Sequence, residues 1–188
     1  MAGGAVPFVT REAYLEADRK AEFRSEYVDG VVYAMSGGSP AHATLILRLG
    51  SLLDQALDRG PCRTSVSDLR LRTGQRNSYV YPDVMVFCDK YEFEDGTTDI
   101  VKNPVLVAEV LSPSTESWDR GGKFARYQAV ETLREYVLVS QVEMRVEWFT
   151  KLPDGAWRYA VAEGPGAECR LTALGISISL DELYRKIL

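Results

Sequence analysis

The sequence predicts an α/β fold (α+β in element order) with a mixed central β-sheet flanked by helices, and three observations predict it. Two runs, residues 79–88 and 101–111, are almost wholly apolar and β-prone, as central strands buried on both faces are. A long amphipathic pattern bounded by Ser39-Pro40 and Gly60 marks one clear helix. A strand–helix–strand succession over residues 105–139 predicts a right-handed crossover joining parallel neighbours. The chain has 188 residues, 46% of them hydrophobic and 26% charged, which predicts one globular domain over residues 1–188 with a sizeable core.

Each element follows from local chemistry. Thr10 can cap a short helix over residues 10–20, where Ala13, Tyr14 and Ala17 recur at helical spacing. Asp29-Gly30 between two β-prone runs is the strongest hairpin signal in the chain, so the first two strands are expected antiparallel. In the helix after Ser39-Pro40 the expected inward stripe is His42, Ile46, Leu49, Leu53 and Ala56. Residues 63–73 alternate, with Val66, Leu69 and Leu71 apolar, and read as one strand. Polar connections follow at residues 74–78 and 89–98. A helix is expected over residues 117–131, weakened by Gly121-Gly122, which puts its start in question just before Lys123. Strands at 136–139, 145–149 and 157–161 come next, then an amphipathic helix from Asp181 to the end with Leu183 and Ile187 inward.

Composition narrows the function classes. With 22 Lys+Arg against 27 Asp+Glu the net charge is -5, which argues against tight nonspecific binding of nucleic acid. No apolar run is long enough to span a bilayer, and the first residues lack the basic and apolar regions of a secretory signal, so a cytoplasmic protein is expected. Cys62, Cys88 and Cys169 show no C-x-x-C spacing and an odd count, and read as buried thiols. Trp118, Trp148 and Trp157 are too scattered along the chain for a base-stacking platform and read as core or interface residues.

Two carboxylates sit where surface residues do not belong: Asp83 inside Val80-Tyr-Pro-Asp-Val-Met-Val-Phe87, and Glu109 inside Val105-Leu-Val-Ala-Glu-Val-Leu111. A buried carboxylate must be paired, hydrogen-bonded, protonated or bound to a cation. Taken singly, Asp83 could bond local amides after Pro82, and Glu109 could pair with a core cation. Taken together on adjacent strands, they match the one or two carboxylates by which Mg2+ is held. Lys123 lies four residues from both Asp119 and Tyr127 on one helical face near the end of Glu109's strand; it reads either as an exposed pair with Asp119 or as a cleft cation steadying phosphate charge. His42, the single histidine, is either a satisfied core residue or a neutral ring able to bind metal or accept a proton. Glu26 is a weaker candidate for the same cluster. Phosphate loops, Gly-x-Gly-x-x-Gly, His-Glu-x-x-His and Gly-x-Ser-x-Gly are all missing from the sequence.

Glu26-Tyr-Val-Asp-Gly30, Ser39-Pro-Ala-His42, Pro82-Asp83, Glu109-Val-Leu-Ser-Pro-Ser-Thr115, Asp119-Arg-Gly-Gly-Lys123, Tyr127 and Glu135-Tyr-Val-Leu-Val139, in this order, resemble the Uma2 family over roughly residues 20 to 150. That family is similar to PD-(D/E)XK endonucleases, so the resemblance implies a restriction-endonuclease-like fold. It also implies a Mg2+- or Mn2+-dependent endonuclease acting on DNA, with Asp83 and Glu109 as the metal-binding acids and Lys123 as the catalytic lysine. Glu26 and His42 match recurring positions of the family without an assigned role, and are read here as catalytic candidates that complete the metal shell or move a proton, His42 being the metal candidate of the two. The superfamily lysine normally lies two residues past the second acid, where this chain has Leu111, so Lys123 would be a migrated replacement. Arg63, Arg70, Arg72 and Arg76 are expected to form a basic rim for DNA, and double-strand cutting implies a homodimer. The alternative is a catalytically inactive module of the same fold used for binding or regulation.

Overall fold

The computed structural model describes residues 8–35, 37–74 and 78–188. Helix α1 (Arg11–Asp18) is capped by the Thr10 hydroxyl, and the hairpin of β1 (Ser25–Val28) and β2 (Val31–Ala34) turns on Asp29 and Gly30, both with positive φ as a two-residue turn of this hand demands. Helix α2 (Pro40–Leu57) starts where expected, with the Ser39 hydroxyl accepting from the His42 N–H. Its buried stripe is Leu45, Leu49, Leu53 and Leu57; Ala56, expected inward, is exposed, because the helix is rotated to set the leucines on the sheet. Burying each leucine contributes roughly 1.5–3 kcal/mol.

Three predicted strands are each divided in two. Residues 63–73 form β3 (Arg63–Val66) and β4 (Arg70–Thr73), parted at Ser67, whose positive φ turns the chain. Residues 79–88 form β5 (Ser78–Val80) and β6 (Val84–Phe87), parted at Pro82, which has no N–H for a ladder. Residues 101–111 form β7 (Ile100–Val101) and β8 (Leu106–Val110), parted at Pro104. In each case the halves belong to different sheets. One sheet has five strands in the order β2-β1-β5-β4-β7. The other has six, β11-β10-β9-β8-β6-β3, built with β9 (Glu135–Val139), β10 (Arg145–Lys151) and β11 (Trp157–Glu163). It is mixed: β8 and β9 run parallel, as the crossover requires, and its other pairs are antiparallel.

The crossover is helical but shorter than residues 117–131. It consists of α3 (Glu116–Trp118), a π-helical turn (Asp119–Lys123) and α4 (Phe124–Tyr127), so Gly121-Gly122 lie inside the helical path and do not delay its start. The tail adds a hairpin that sequence periodicity did not reveal, β12 (Glu168–Leu171) with β13 (Ile176–Ser179), and α5 (Leu180–Leu183), which stops well before the end of the chain. Leu183 is buried as expected and Ile187 packs against the same core.

The six-stranded sheet buries both faces. Val84, Val86, Leu106, Ala108 and Val110 meet the leucines of α2. The alternate residues Met85, Phe87, Val107 and Leu111 meet Leu71, Val80, Tyr127 and Tyr136. Because side chains alternate along a strand, Asp83 and Glu109 fall in the second set, on one face. Cys62 and Cys88 are not free thiols: they follow the β3–β6 register outward by one pair and are joined as a disulfide. Cys169 is the buried thiol expected. No helix among the described residues is long and apolar enough to cross a membrane.

Candidate active site

The five candidate residues converge. Glu26, His42, Asp83, Glu109 and Lys123 all line one cleft of about 590 Å³ between the two sheets, together with Asp119. The register explains the central pair: Val84 faces Ala108 across β6 and β8, so Asp83 falls opposite Glu109. Glu26 arrives from β1 of the other sheet, and its Oε1 accepts from the Tyr81 N–H at 3.3 Å. His42 arrives on the first turn of α2, with Nε2 3.4 Å from Asp83 Oδ2.

Lys123 reaches this cluster because of the π-helical turn. The Tyr136 hydroxyl donates to the Asp119 carbonyl at 2.9 Å, and that carbonyl is the acceptor an α-helical Lys123 N–H would use. The widened turn leaves Asp119 and Lys123 both facing inward, each nearly fully buried. Lys123 Nζ lies 3.0 Å from Glu26 Oε1, 3.2 Å from Glu109 Oε1 and 3.4 Å from Asp119 Oδ1. The exposed-pair reading of Asp119 and Lys123 therefore fails. Tyr127, one turn further, donates its hydroxyl to Glu109 Oε1 at 2.6 Å.

Burial governs the electrostatics. It pushes the Glu109 carboxyl well above the ordinary range; Lys123 opposes this, and Asp119, Asp83 and Glu26 add to it. Asp119 is raised by burial despite Lys123. Burial alone would draw the Lys123 ammonium down, but Glu109, Glu26 and Asp119 outweigh it and hold the lysine charged. His42 is raised, first by its hydrogen bond to Asp83 and against the pull of burial.

Four carboxyl groups thus face one ammonium and the His42 ring, a surplus of acid groups that a proton on Glu109 or a bound cation would offset. Glu109 Oε1 is taken by Lys123 and Tyr127, and Asp83 Oδ2 accepts from the Val110 N–H at 2.8 Å. Glu109 Oε2 and Asp83 Oδ1 accept no hydrogen bond among the described residues, and Asp119 Oδ1 has the Lys123 ammonium at 3.4 Å as its partner. Two hard carboxylate oxygens open to a cleft fit Mg2+ or Mn2+, which complete their shells with water and phosphate. Among the described residues no three His, Cys, Asp or Glu side chains form a ready cage, so the fit is of the open, two-carboxylate kind.

The expected basic rim does not form. Arg70 is buried between Asp18 and Asp99, Arg72 pairs with Glu94, and Arg63 lies over the Tyr91 ring. None lines the cleft, and Arg76 lies outside the described residues. Sequence reasoning missed Tyr33 and Gln141 and read Trp118 as a core or interface residue; Tyr33 and Trp118 stack at the cleft mouth, and the Gln141 amide donates to the Leu111 carbonyl while its oxygen accepts from Ser39. Only the helical spacing of Asp119, Lys123 and Tyr127 signalled any of the supporting shell.

A family model, Uma2, described as "putative restriction endonuclease", matches residues 11–181. Two uncharacterized proteins of Synechocystis are similar: one is 37% identical over 182 residues, covering 95% of this chain and 93% of that protein, and the other is 34% identical over 168 residues, covering 89% and 95%. A crystal structure of a "putative nuclease belonging to DUF820" from Anabaena variabilis superposes with a TM-score of 0.78 at 18% identity, covering 96% of this chain and 99% of that one. At that identity the likeness is one of fold.

Proposed function

Because the chain belongs to the Uma2 family, we propose that its cleft is the active site of a divalent-ion-dependent phosphodiester hydrolase, an endonuclease acting on DNA. The observation that carries this reading is the facing pair Asp83 and Glu109, each with one carboxylate oxygen without a protein partner in a cleft that holds more negative than positive groups. These two would hold Mg2+ or Mn2+; His42, a metal candidate from the sequence, has its Nε2 turned onto Asp83 Oδ2 at 3.4 Å and would act there as a partner of that carboxylate. A divalent ion bound there supplies Lewis acidity toward phosphate and lowers the pKa of a bound water.

The chain's own residues do the rest. Asp83 is aimed by the Val110 N–H and His42, and Glu109 is kept in place by Tyr127 and Lys123. Lys123 lines the cleft as a charged donor where negative charge grows on a phosphate oxygen. Glu26 fixes the lysine from the opposite sheet.

The test is nicking of supercoiled plasmid in Mn2+, run with wild type, Asp83→Asn and Glu109→Gln, each checked for an unchanged melting transition. Both variants keep a hydrogen-bond acceptor and remove an anionic ligand, so each is expected to lose at least about a hundredfold in rate. Calorimetric titration with Mn2+ should show one binding event that Asp83→Asn abolishes. Wild type that neither binds the ion nor nicks DNA would sink the hydrolase and favour the inactive binding module.

A further inference from the structure

We propose that the mouth of the cleft is a stacking shelf for an unpaired nucleobase, so that the strand offered to Asp83 and Glu109 is single-stranded or locally opened. This deepens the nuclease reading and rests on it for the chemistry of what enters.

The shelf is built from Tyr33 and Trp118. Tyr33 is paired with Glu26 across β1 and β2, so both side chains project from the same face of that sheet, and Tyr33 is 51% exposed at the cleft edge. Its ring stacks on Trp118, with centroids 6.3 Å apart and planes 25° off parallel. Trp118 is fixed from behind. A Cβ on Gly122 would fall 1.8 Å from the indole ring, so glycine there lets the ring lie against the helix, and the Arg126 guanidinium sits 5.0 Å from the ring centroid. Arg126 is itself held by Asp29. A half-exposed aromatic laid on an immobilised one has the make-up of a base platform, where each stacked base contributes about 1–3 kcal/mol whatever its identity.

Charge density favours an unpaired strand over a duplex, which carries twice the phosphate charge along the same length. A duplex is held mainly by rows of lysine and arginine against its phosphates. The cleft lining among the described residues has no arginine, and its single lysine is already ringed by carboxylates. A base face needs no such row. Ser39, Ser112, Ser114 and Gln141 line the same cleft and give it a polar, uncharged wall whose hydrogen bonds run among themselves and to the backbone.

The experiment measures fluorescence anisotropy of three labelled probes: an oligothymidylate, the same strand annealed to its complement, and an abasic strand of equal length. The full-length protein is used in Ca2+, which takes oxygen ligands as Mg2+ does with looser geometry. The oligothymidylate is expected to bind at least about tenfold more tightly than the other two and to quench tryptophan emission. Tyr33→Ala, on an exposed edge strand, should remove about tenfold of that affinity with an unchanged melting transition, while Tyr33→Phe retains it. Equal binding of all three probes, or a preference that Tyr33→Ala leaves intact, overturns the shelf. Plasmid nicking separates the two ideas. Strand binding that depends on Tyr33 without Mn2+-dependent nicking removes the hydrolase and keeps the shelf; nicking with binding indifferent to Tyr33 does the reverse.

Discussion

Lys123 is enclosed by three carboxylates, and such a group is stable only as a set. Removing the ammonium leaves Glu26, Glu109 and Asp119 crowded in a buried space. Lys123→Ala is therefore expected to lower the unfolding free energy by about 3–5 kcal/mol in urea denaturation. In a Glu109→Gln background the same change should cost measurably less, and the difference is the coupling between the two groups. Additive costs would show that the ion pair contributes nothing. Tyr127→Phe removes the 2.6 Å bond to Glu109 and is expected to cost about 1–2 kcal/mol while freeing the carboxylate to turn. Asp83 and Glu109 were legible in the sequence because a carboxylate within an apolar run has few innocent explanations. Tyr33 was not, since nothing in Val31-Val-Tyr-Ala34 says which face meets the site. The arginines misled for a related reason: in sequence a guanidinium destined for DNA looks the same as one that, like Arg70, is consumed by Asp18 and Asp99.

The π-helical turn is the element on which the site depends, and its two glycines are not equivalent. Gly121 has open space where a Cβ would go, whereas Gly122 has the Trp118 ring. Gly121→Ala should be neutral or stabilising by about 0.5–1 kcal/mol, and Gly122→Ala should cost about 1–3 kcal/mol by displacing the indole. Equal melting temperatures for the two variants would contradict this packing. The same turn is tied to β10 by Arg120, which makes two bonds of 2.8 and 2.9 Å to Glu147. That hydrogen bonding, with Arg145 and Tyr159 and against burial, holds the Glu147 carboxyl down at about 2. Below the ordinary carboxylate pKa the unfolded chain binds the proton first, so this stabilisation is complete above about pH 4.5 and is lost as pH falls toward 2. The stability gap between wild type and Glu147→Gln should be flat above about pH 5 and close in acid, as followed by thermal unfolding. Caps and turns were readable here, from Thr10, Ser39-Pro40 and Asp29-Gly30, because each is settled by neighbouring residues. The π-turn was not, because it is produced by Tyr136, far along the chain, claiming the Asp119 carbonyl.

At the scale of the whole molecule the mixed sheet was legible and its division was not. Strands buried on both faces carry no alternation, so an apolar run shows neither where one strand ends nor which sheet takes the next. Pro82, Pro104 and Ser67 mark the partings, but a proline within a strand-like run signals an edge or an end without saying which. The Cys62–Cys88 pairing likewise depends on the β3–β6 register and could not be seen beforehand. The bond closes a loop with a separation of 26 residues, for which chain entropy gives about 3–4 kcal/mol, so the double serine variant should be destabilised by a comparable amount. Thiol titration of the denatured, unreduced protein should then count one thiol, Cys169; a count of three would refute the bond.

The parting at Pro82 has a mechanical consequence. Glu26 belongs to one leaf of the molecule and Glu109 to the other, and the ammonium of Lys123 clasps them like the catch of a locket. A ligand that drew this ammonium away would leave the two leaves joined here by the packing of Leu71 and Val80 on Met85 and Phe87 alone, a loosening to be read as faster amide exchange in β1 when the site is filled.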